Sequence, residues 1–151
     1  MAVAMVNGLG GSPTPISFGE LYTALQQGVV DGAENNPTSF YTSKHYEVCK
    51  YYCIDEHSVV PDVLLIGIDT WERLNDQERK WLEEAVDAST IAQRKLWAAS
   101  EKESIAAVKA AGVQVIYPDK SAFREKTKAI QNIFKNDIKM TTLINAIKNQ
   151  K

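Results

Sequence analysis

Apolar residues recur at helical spacing in several parts of the chain. One stripe at residues 21, 22 and 25 follows a Ser17–Glu20 pair with capping-box spacing and stops at Gly28, a residue suited to the end of a helix. We therefore expect a helix over residues 18–27. A short helix closed by Gly8, Gly10 and Gly11 precedes it, the Asn35-Asn36-Pro37 sequence opens another, and two amphipathic segments at about 121–135 and 141–148 predict helices at the end of the chain.

The longest helical signal begins at Asn75, which pairs with Glu78 in a second cap-like spacing. No glycine or proline follows until Gly112, so the pattern predicts one helix over about residues 76–111. Such a helix would be roughly 50 Å long at about 1.5 Å per residue. A helix of this length usually bridges two bodies or joins a coiled coil. Its apolar positions keep no strict heptad, so we favour bridging.

Strand-like segments alternate with these helices. Residues 29–34 and 51–54 are short candidates, residues 113–117 form another, and residues 63–68 are nearly all apolar, as a strand covered on both faces would be. The alternation predicts an α/β fold. The three tryptophans lie on or beside helices, and we expect them to pack in the core: Trp71, Trp81 and Trp97.

Composition excludes several classes of function. The chain has 151 residues and a formal net charge of -2, with no basic block that would suit nucleic acid. No stretch approaches the roughly 20 apolar residues that span a bilayer. Cys49 and Cys53 are expected to be free and mostly buried, and without further ligands at matching spacing they predict no metal site. The glycines near residue 10 lack a nucleotide-binding motif, so no cofactor is expected.

Catalytic constellations are weak. Asp31 and Glu34 would point to opposite faces of a strand, which does not suit acid/base chemistry. The sequence lacks the nucleophile-elbow motif that many hydrolases use. Without it, four residues make only a weak hydrolase-like set: Ser12, His45, His57 and Asp62. His57 alone is interpreted as structural or as a rim residue. We therefore expect no enzyme.

A long block carries a family resemblance. The sequence PTPISFGELYTALQQG at residues 13–28, followed by VVDGAEN at residues 29–35, resembles the signature of solute-binding proteins of tripartite ATP-independent periplasmic (TRAP) transporters of the DctP type. The likeness continues through the KHYEV sequence at residues 44–48, the His57 turn, the apolar strand and the long helix.

The resemblance implies the C-terminal half of a two-lobed fold of the periplasmic-binding-protein kind, with the long helix bridging the lobes. Residues 1–58 and 113–118 would belong mainly to the second lobe, 59–75 would cross to the first lobe, 76–111 would form the bridging helix, and 119–151 the C-terminal helices. The main part of the first lobe would be absent, and Met1 would lie inside a longer reading frame. The parent protein would be periplasmic, or extracellular and lipid-anchored.

The implied function is capture of a small organic acid, a carboxylate, and its delivery to TRAP permease subunits in the membrane. By the same resemblance Phe18 would flank the ligand with its ring, Asn35 would hydrogen-bond a ligand carboxylate or hydroxyl, and Asp62 would face the cleft. The family's ligand-binding arginine has no counterpart here, so we expect weak binding by this chain alone. Apolar surface left uncovered would favour self-association.

Other interpretations stay open at this stage. Phe18 suits a hydrophobic staple or a core position, and Asn35 suits the N-cap of the helix that Pro37 begins. A sensory or interaction module of the same fold, feeding a signalling partner, is the alternative function.

Overall fold

The computed structural model describes residues 1–149, which fold into helices and two short strands. The helices are α1 (Ala2–Leu9), α2 (Phe18–Gln26), α3 (Pro37–Thr42), α4 (Ile68–Arg73), α5 (Asp76–Ala110), α6 (Lys120–Gln131) and α7 (Ile138–Lys148). Two short 3-10 helices occupy His45–Glu47 and Asn132–Phe134. The strands are β1 (Tyr51–Cys53) and β2 (Gln114–Ile116). The predicted α/β class is confirmed. Along the chain these elements form two compact units, one of residues 1–30, 53–57 and 116–151, the other of residues 31–52 and 58–115.

In the first unit, α1 packs against α6. A Cβ atom at Gly8 would come within 3.3 Å of the Ile130 side chain, so the glycine permits the close approach of the two helices. Gly10 then ends α1 in the left-handed conformation, with φ of 94°. The predicted short helix closed by glycines is confirmed.

In the second unit, α3 packs against α5 and a small apolar core forms between them. Phe40, Val108 and Val113 are its buried members, and Val108 is 1% exposed. Half-buried residues pack around them: Tyr46, Cys49, Tyr52 and Val115. This core fixes the position of β1 relative to α3, because Tyr52 of β1 stacks on Phe40.

The two strands pair side by side and run parallel. The amide of Gln114 donates to the carbonyl of Lys50, and further along both strands the amide of Ile54 donates to the carbonyl of Ile116, each at 2.9 Å. Parallel strands need a crossover connection, and α5 lies in the connection here. The strands predicted at residues 51–54 and 113–117 are thus confirmed, each slightly shorter.

The predicted long helix is confirmed as α5, a helix of 35 residues. The amide of Glu78 donates to the Asn75 side chain at 3.0 Å, and the amide of Asn75 donates to the Glu78 carboxylate at 2.8 Å, so the capping box is complete. Residues 87–99 are exposed on every face of the helix. Trp97 lies in this exposed stretch and Trp81, one turn or more before it, is 61% exposed, so the prediction that they pack in the core is wrong.

Two predicted strands are absent from the described residues. After α2, the amide of Val29 bonds back to the carbonyl of Ala24 at 2.9 Å and Gly28 takes a φ of 69°, so residues 29–34 complete the end of a helix and a turn. Residues 63–67 are irregular and exposed, with Leu65 at 83%. A strand requires a hydrogen-bonded neighbour, and within residues 1–149 β1 and β2 pair only with each other.

Three further predictions concern the start of α2, the two cysteines and the composition of the helices. Ser17 precedes α2, but its hydroxyl donates to the Glu20 carboxylate at 2.7 Å and makes no cap bond to the backbone. Cys49 and Cys53 are free as predicted, although Cys53 is exposed. No helix within residues 1–149 combines the length and apolar composition needed to cross a bilayer.

Candidate ligand-binding site

Phe18 is the first residue of α2 and belongs to the first unit. The helix begins here because Ser17 is extended, with ψ of 143°, after a segment that contains two prolines. The Phe18 side chain is 55% exposed, so it is not a core residue in this chain. A large, rigid apolar ring at this exposure offers a flat surface for ligand contact.

Asn35 and Asn36 have different roles at the start of α3 in the second unit. Asn36 is the N-cap, since its side-chain oxygen accepts a hydrogen bond from the amide of Ser39 at 2.8 Å, and Pro37 follows in the first turn. The interpretation of Asn35 as the N-cap is therefore wrong. Helix capping does not account for Asn35.

The Asn35 side chain is held by its own neighbour. Its Oδ1 accepts a hydrogen bond from the amide of Asn36 at 2.9 Å. The acceptor end of the side chain is thus engaged, and the Nδ2 group carries two N–H donors. Donors of this kind suit the oxygens of a carboxylate or hydroxyl group.

Tyr52 fixes the backbone at Asn35 and was not singled out from the sequence. Its hydroxyl donates to the carbonyl of Asn35 at 2.8 Å. Its ring stacks on the buried Phe40 with centroids 4.6 Å apart and an interplanar angle of 21°. Asn35 is therefore connected to the core by one aromatic side chain. Strand alternation predicts that Tyr52 is more buried than its neighbours, but it does not predict this hydrogen bond.

Asp62 lies in the second unit, in an irregular segment where every residue from 58 to 70 is exposed. Its role in ligand contact stays a prediction, as do those of Phe18 and Asn35.

Residues 55–57, just before the exposed segment at residues 58–70, carry a cluster of polar side chains. Nδ1 of His57 lies 2.7 Å from Oδ1 of Asp55. Between them, Glu56 takes a left-handed φ of 51° and forms an ion pair with Lys120 of α6. The interpretation of His57 as a structural residue agrees with this geometry, since its ring holds the turn.

Burial shifts the pKa values of one histidine and both cysteines. Burial lowers the pKa of His45, which is a buried residue of the second unit. Burial raises the pKa values of the thiols of Cys49 and Cys53, so both are weak nucleophiles. Among residues 1–149, no three His, Cys, Asp or Glu side chains are grouped in a way that could hold a metal ion.

The charges around the candidate residues are mostly negative. Residues 18–62 contain seven Asp and Glu residues but only two basic ones, Lys44 and Lys50. An acidic ligand gains most from charge-assisted hydrogen bonds to a cation. Within residues 18–62, Lys44 and Lys50 are therefore the cations that could balance a ligand carboxylate.

Comparison with known proteins shows that the chain resembles bacterial solute-binding proteins over most of its length. Residues 1–137 match the DctP family, described as bacterial extracellular solute-binding protein, family 7. A solute-binding protein of Chromohalobacter salexigens is 39% identical over 133 residues, which cover 87% of this chain and 40% of that protein. The sialic acid-binding periplasmic protein SiaP of Vibrio cholerae is 36% identical over 129 residues, 85% of this chain and 40% of SiaP.

Solved structures agree over nearly the whole chain. A TRAP periplasmic solute-binding protein of Chromohalobacter salexigens with bound D-glucuronate has a TM-score of 0.93 at 35% identity and matches 98% of this chain and 50% of its own. One from Sulfitobacter with bound β-D-galacturonate has a TM-score of 0.91 at 36% identity, over 99% of this chain and 50% of its own. The chain spans about half the length of the proteins it matches.

Proposed function

Since this chain belongs to the DctP family of bacterial extracellular solute-binding proteins, we propose that it is part of a receptor that captures a small organic acid. The observation that carries the proposal is the agreement with structures solved with uronic acids, at TM-scores of 0.91 and 0.93 over almost all of these residues. SiaP, named for sialic acid, and the C4-dicarboxylate-binding protein DctP of Rhodobacter capsulatus are relatives whose ligands also carry a carboxylate. The ligand class proposed is a sugar acid or a related small carboxylate.

Asn35 and Phe18 are the proposed contact residues. In the second unit, the Nδ2 group of Asn35 would donate to an oxygen of an acidic ligand. In the first unit, the exposed ring of Phe18 would offer apolar contact to a ligand. The hydroxyl of Tyr52 holds the Asn35 backbone, which lowers the entropic cost of placing that donor. Asp62 is proposed as a further contact, made to a ligand hydroxyl because its own charge would repel a carboxylate.

The proposed receptor acts in the periplasm and passes its ligand to TRAP permease subunits in the membrane. SiaP and the Rhodobacter protein are both named as periplasmic, which supports this location. The proposal assigns binding alone to the chain and gives no catalytic role to Asp31 or Glu34. Self-association of the chain is proposed only as a consequence of its exposed apolar residues.

The test is a thermal-shift and calorimetric screen on a protein that contains these residues and is as long as the relatives described above. D-Glucuronate, D-galacturonate, sialic acid and C4-dicarboxylates are the ligands to compare, with the matching neutral sugars as controls. A bound acid raises the melting temperature, and the stabilisation grows with the logarithm of the ligand excess over Kd. A protein stabilised equally by neutral sugars, or by no acid in the set, would contradict the proposal.

Variants then test the residues. Asn35→Asp keeps the shape and replaces the donors with a charge, so we expect the Kd for the best acid to rise at least about 100-fold. Asn7→Asp, on the exposed side of α1, is the matched control and should leave the Kd unchanged. Equal affinity in the Asn35 variant and its control would remove Asn35 from the site while leaving the ligand class intact.

A further inference from the structure

The helix α7 begins where the match to the family ends. The family match covers residues 1–137, and α7 occupies Ile138–Lys148. Asp137 caps the helix by accepting from the amide of Met140 at 3.0 Å, so the helix start is well defined. None of the α7 residues is buried. Packing within the described residues therefore accounts for only part of the apolar side chains of α7.

These side chains form one stripe at the spacing of an amphipathic helix: Met140, Leu143, Ile144 and Ile147. Met140 and Ile144 are half-buried, while Leu143 and Ile147 are 53% and 62% exposed. The stripe is thus exposed to solvent along one edge.

Lysines border this stripe on both sides. At about 100° per residue, Lys139 and Lys148 lie about 90° to either side of its centre. Both are exposed, and α7 contains no Asp or Glu. Lysines at this angle can reach past an apolar surface to a polar layer while their aliphatic stems stay against it.

The surrounding charge is also positive. Residues 119–151 contain eight Lys and Arg and three Asp and Glu, whereas residues 1–118 contain nine and sixteen. The exposed apolar segment at residues 58–70 offers a contrast, because it contains two aspartates and no basic residue. Of these two apolar surfaces, only the one on α7 combines exposed aliphatic side chains with flanking lysines.

We propose that α7 binds the surface of an anionic phospholipid bilayer, lying in the plane of the interface. Leu143 and Ile147 would enter the boundary between headgroups and acyl chains, and Lys139 and Lys148 would contact the lipid phosphates. Two aliphatic side chains and two lysines give weak, reversible and salt-sensitive binding, well short of anchoring. Binding of this kind raises the concentration of the receptor at a membrane surface, a role separate from ligand capture.

Vesicle flotation of the 151-residue protein tests the proposal. Vesicles of phosphatidylcholine alone are compared with vesicles containing about a third phosphatidylglycerol, each at low salt and in 0.5 M NaCl. We expect binding only to the anionic vesicles, with most of it lost at high salt, because the Debye length shrinks from about 10 Å at 0.1 M to about 3 Å at 1 M. Equal binding to both vesicle types, or none to either, would overturn the proposal.

Paired variants locate the surface. Lys139→Glu with Lys148→Glu, and separately Leu143→Glu, should each reduce the partition coefficient at least about tenfold. The matched controls on α5 are Lys95→Glu with Lys102→Glu, and Leu96→Glu, since these side chains are exposed on a helix of the other unit. Circular dichroism confirms that each variant is folded. If the α5 variants lost binding as strongly as the α7 variants, the assignment to α7 would be wrong.

Discussion

Removing a single hydroxyl group at Tyr52 tests how the candidate site is supported. Tyr52→Phe keeps the ring and its stacking on Phe40 at 4.6 Å, and deletes only the donor to the carbonyl of Asn35. A hydrogen bond of this kind contributes about 0.5–1.5 kcal/mol net, and leaving a part-buried carbonyl without its partner adds to the loss. We expect the free energy of unfolding to fall by about 1–2 kcal/mol.

Tyr51→Phe is the matched control. Tyr51 is the preceding residue of the same strand and is 69% exposed, so its hydroxyl lies on the solvent side. Its loss should change the free energy of unfolding by less than about 0.5 kcal/mol. Both variants keep an aromatic residue in β1, so strand propensity is nearly constant between them.

The assay is urea denaturation followed by circular dichroism, with thermal melting as a second measurement. For a chain of this size, about 1 kcal/mol corresponds to a change of about 2–4 °C in Tm. An unchanged slope of free energy against urea would show that the variants differ in stability and not in the compactness of either state. If Tyr52→Phe proved as stable as Tyr51→Phe, the Tyr52 hydroxyl would not support the Asn35 backbone in solution.

Three further predictions concern the helices and the core. Asn75→Ala removes the capping box of α5 and should lower the free energy of unfolding by about 1 kcal/mol in urea denaturation, whereas Gln77→Ala, at the second position of the same helix, should be nearly neutral. Val108→Ala opens a cavity at a residue that is 1% exposed, so it should lower the free energy of unfolding by about 2 kcal/mol. Val59→Ala, at a residue that is 91% exposed, is the control and should lower it by less than about 0.5 kcal/mol. Equal losses would refute the position assigned to the core. Burial lowers the pKa of His45 in the folded state, so the unfolded state takes up its proton at a higher pH than the folded state does. Stability should therefore decline as the pH falls through about 6.5, the usual pKa of histidine, and His45→Gln should flatten that decline. An unchanged slope would refute the role of His45.

The sequence determined the local structure and the family. Helical periodicity depends on residues within a few positions of one another, and so does the Asn75–Glu78 capping pair. The sequence therefore predicts α2 and α5 to within about two residues at each end, although Ser17 makes no cap bond to the backbone of α2. The block at residues 13–35 led to the family of solute-binding proteins, and the match over residues 1–137 confirms it. The role of Asn36 as the cap was also available locally, although its neighbour Asn35 was considered for that role.

Only the tertiary structure decided which segments become strands and which side chains are buried. Residues 63–68 have the composition of a buried strand, but a strand forms only beside a hydrogen-bonding neighbour, and that neighbour is a non-local property. Trp81 and Trp97 are 61% and 43% exposed within the described residues, a fact that helical spacing does not contain. The contact between the Tyr52 hydroxyl and the Asn35 carbonyl spans 17 residues and depends on the stacking of β1 on α3. Local patterns therefore gave the helices, while the support of the candidate site required contacts between residues far apart in the chain.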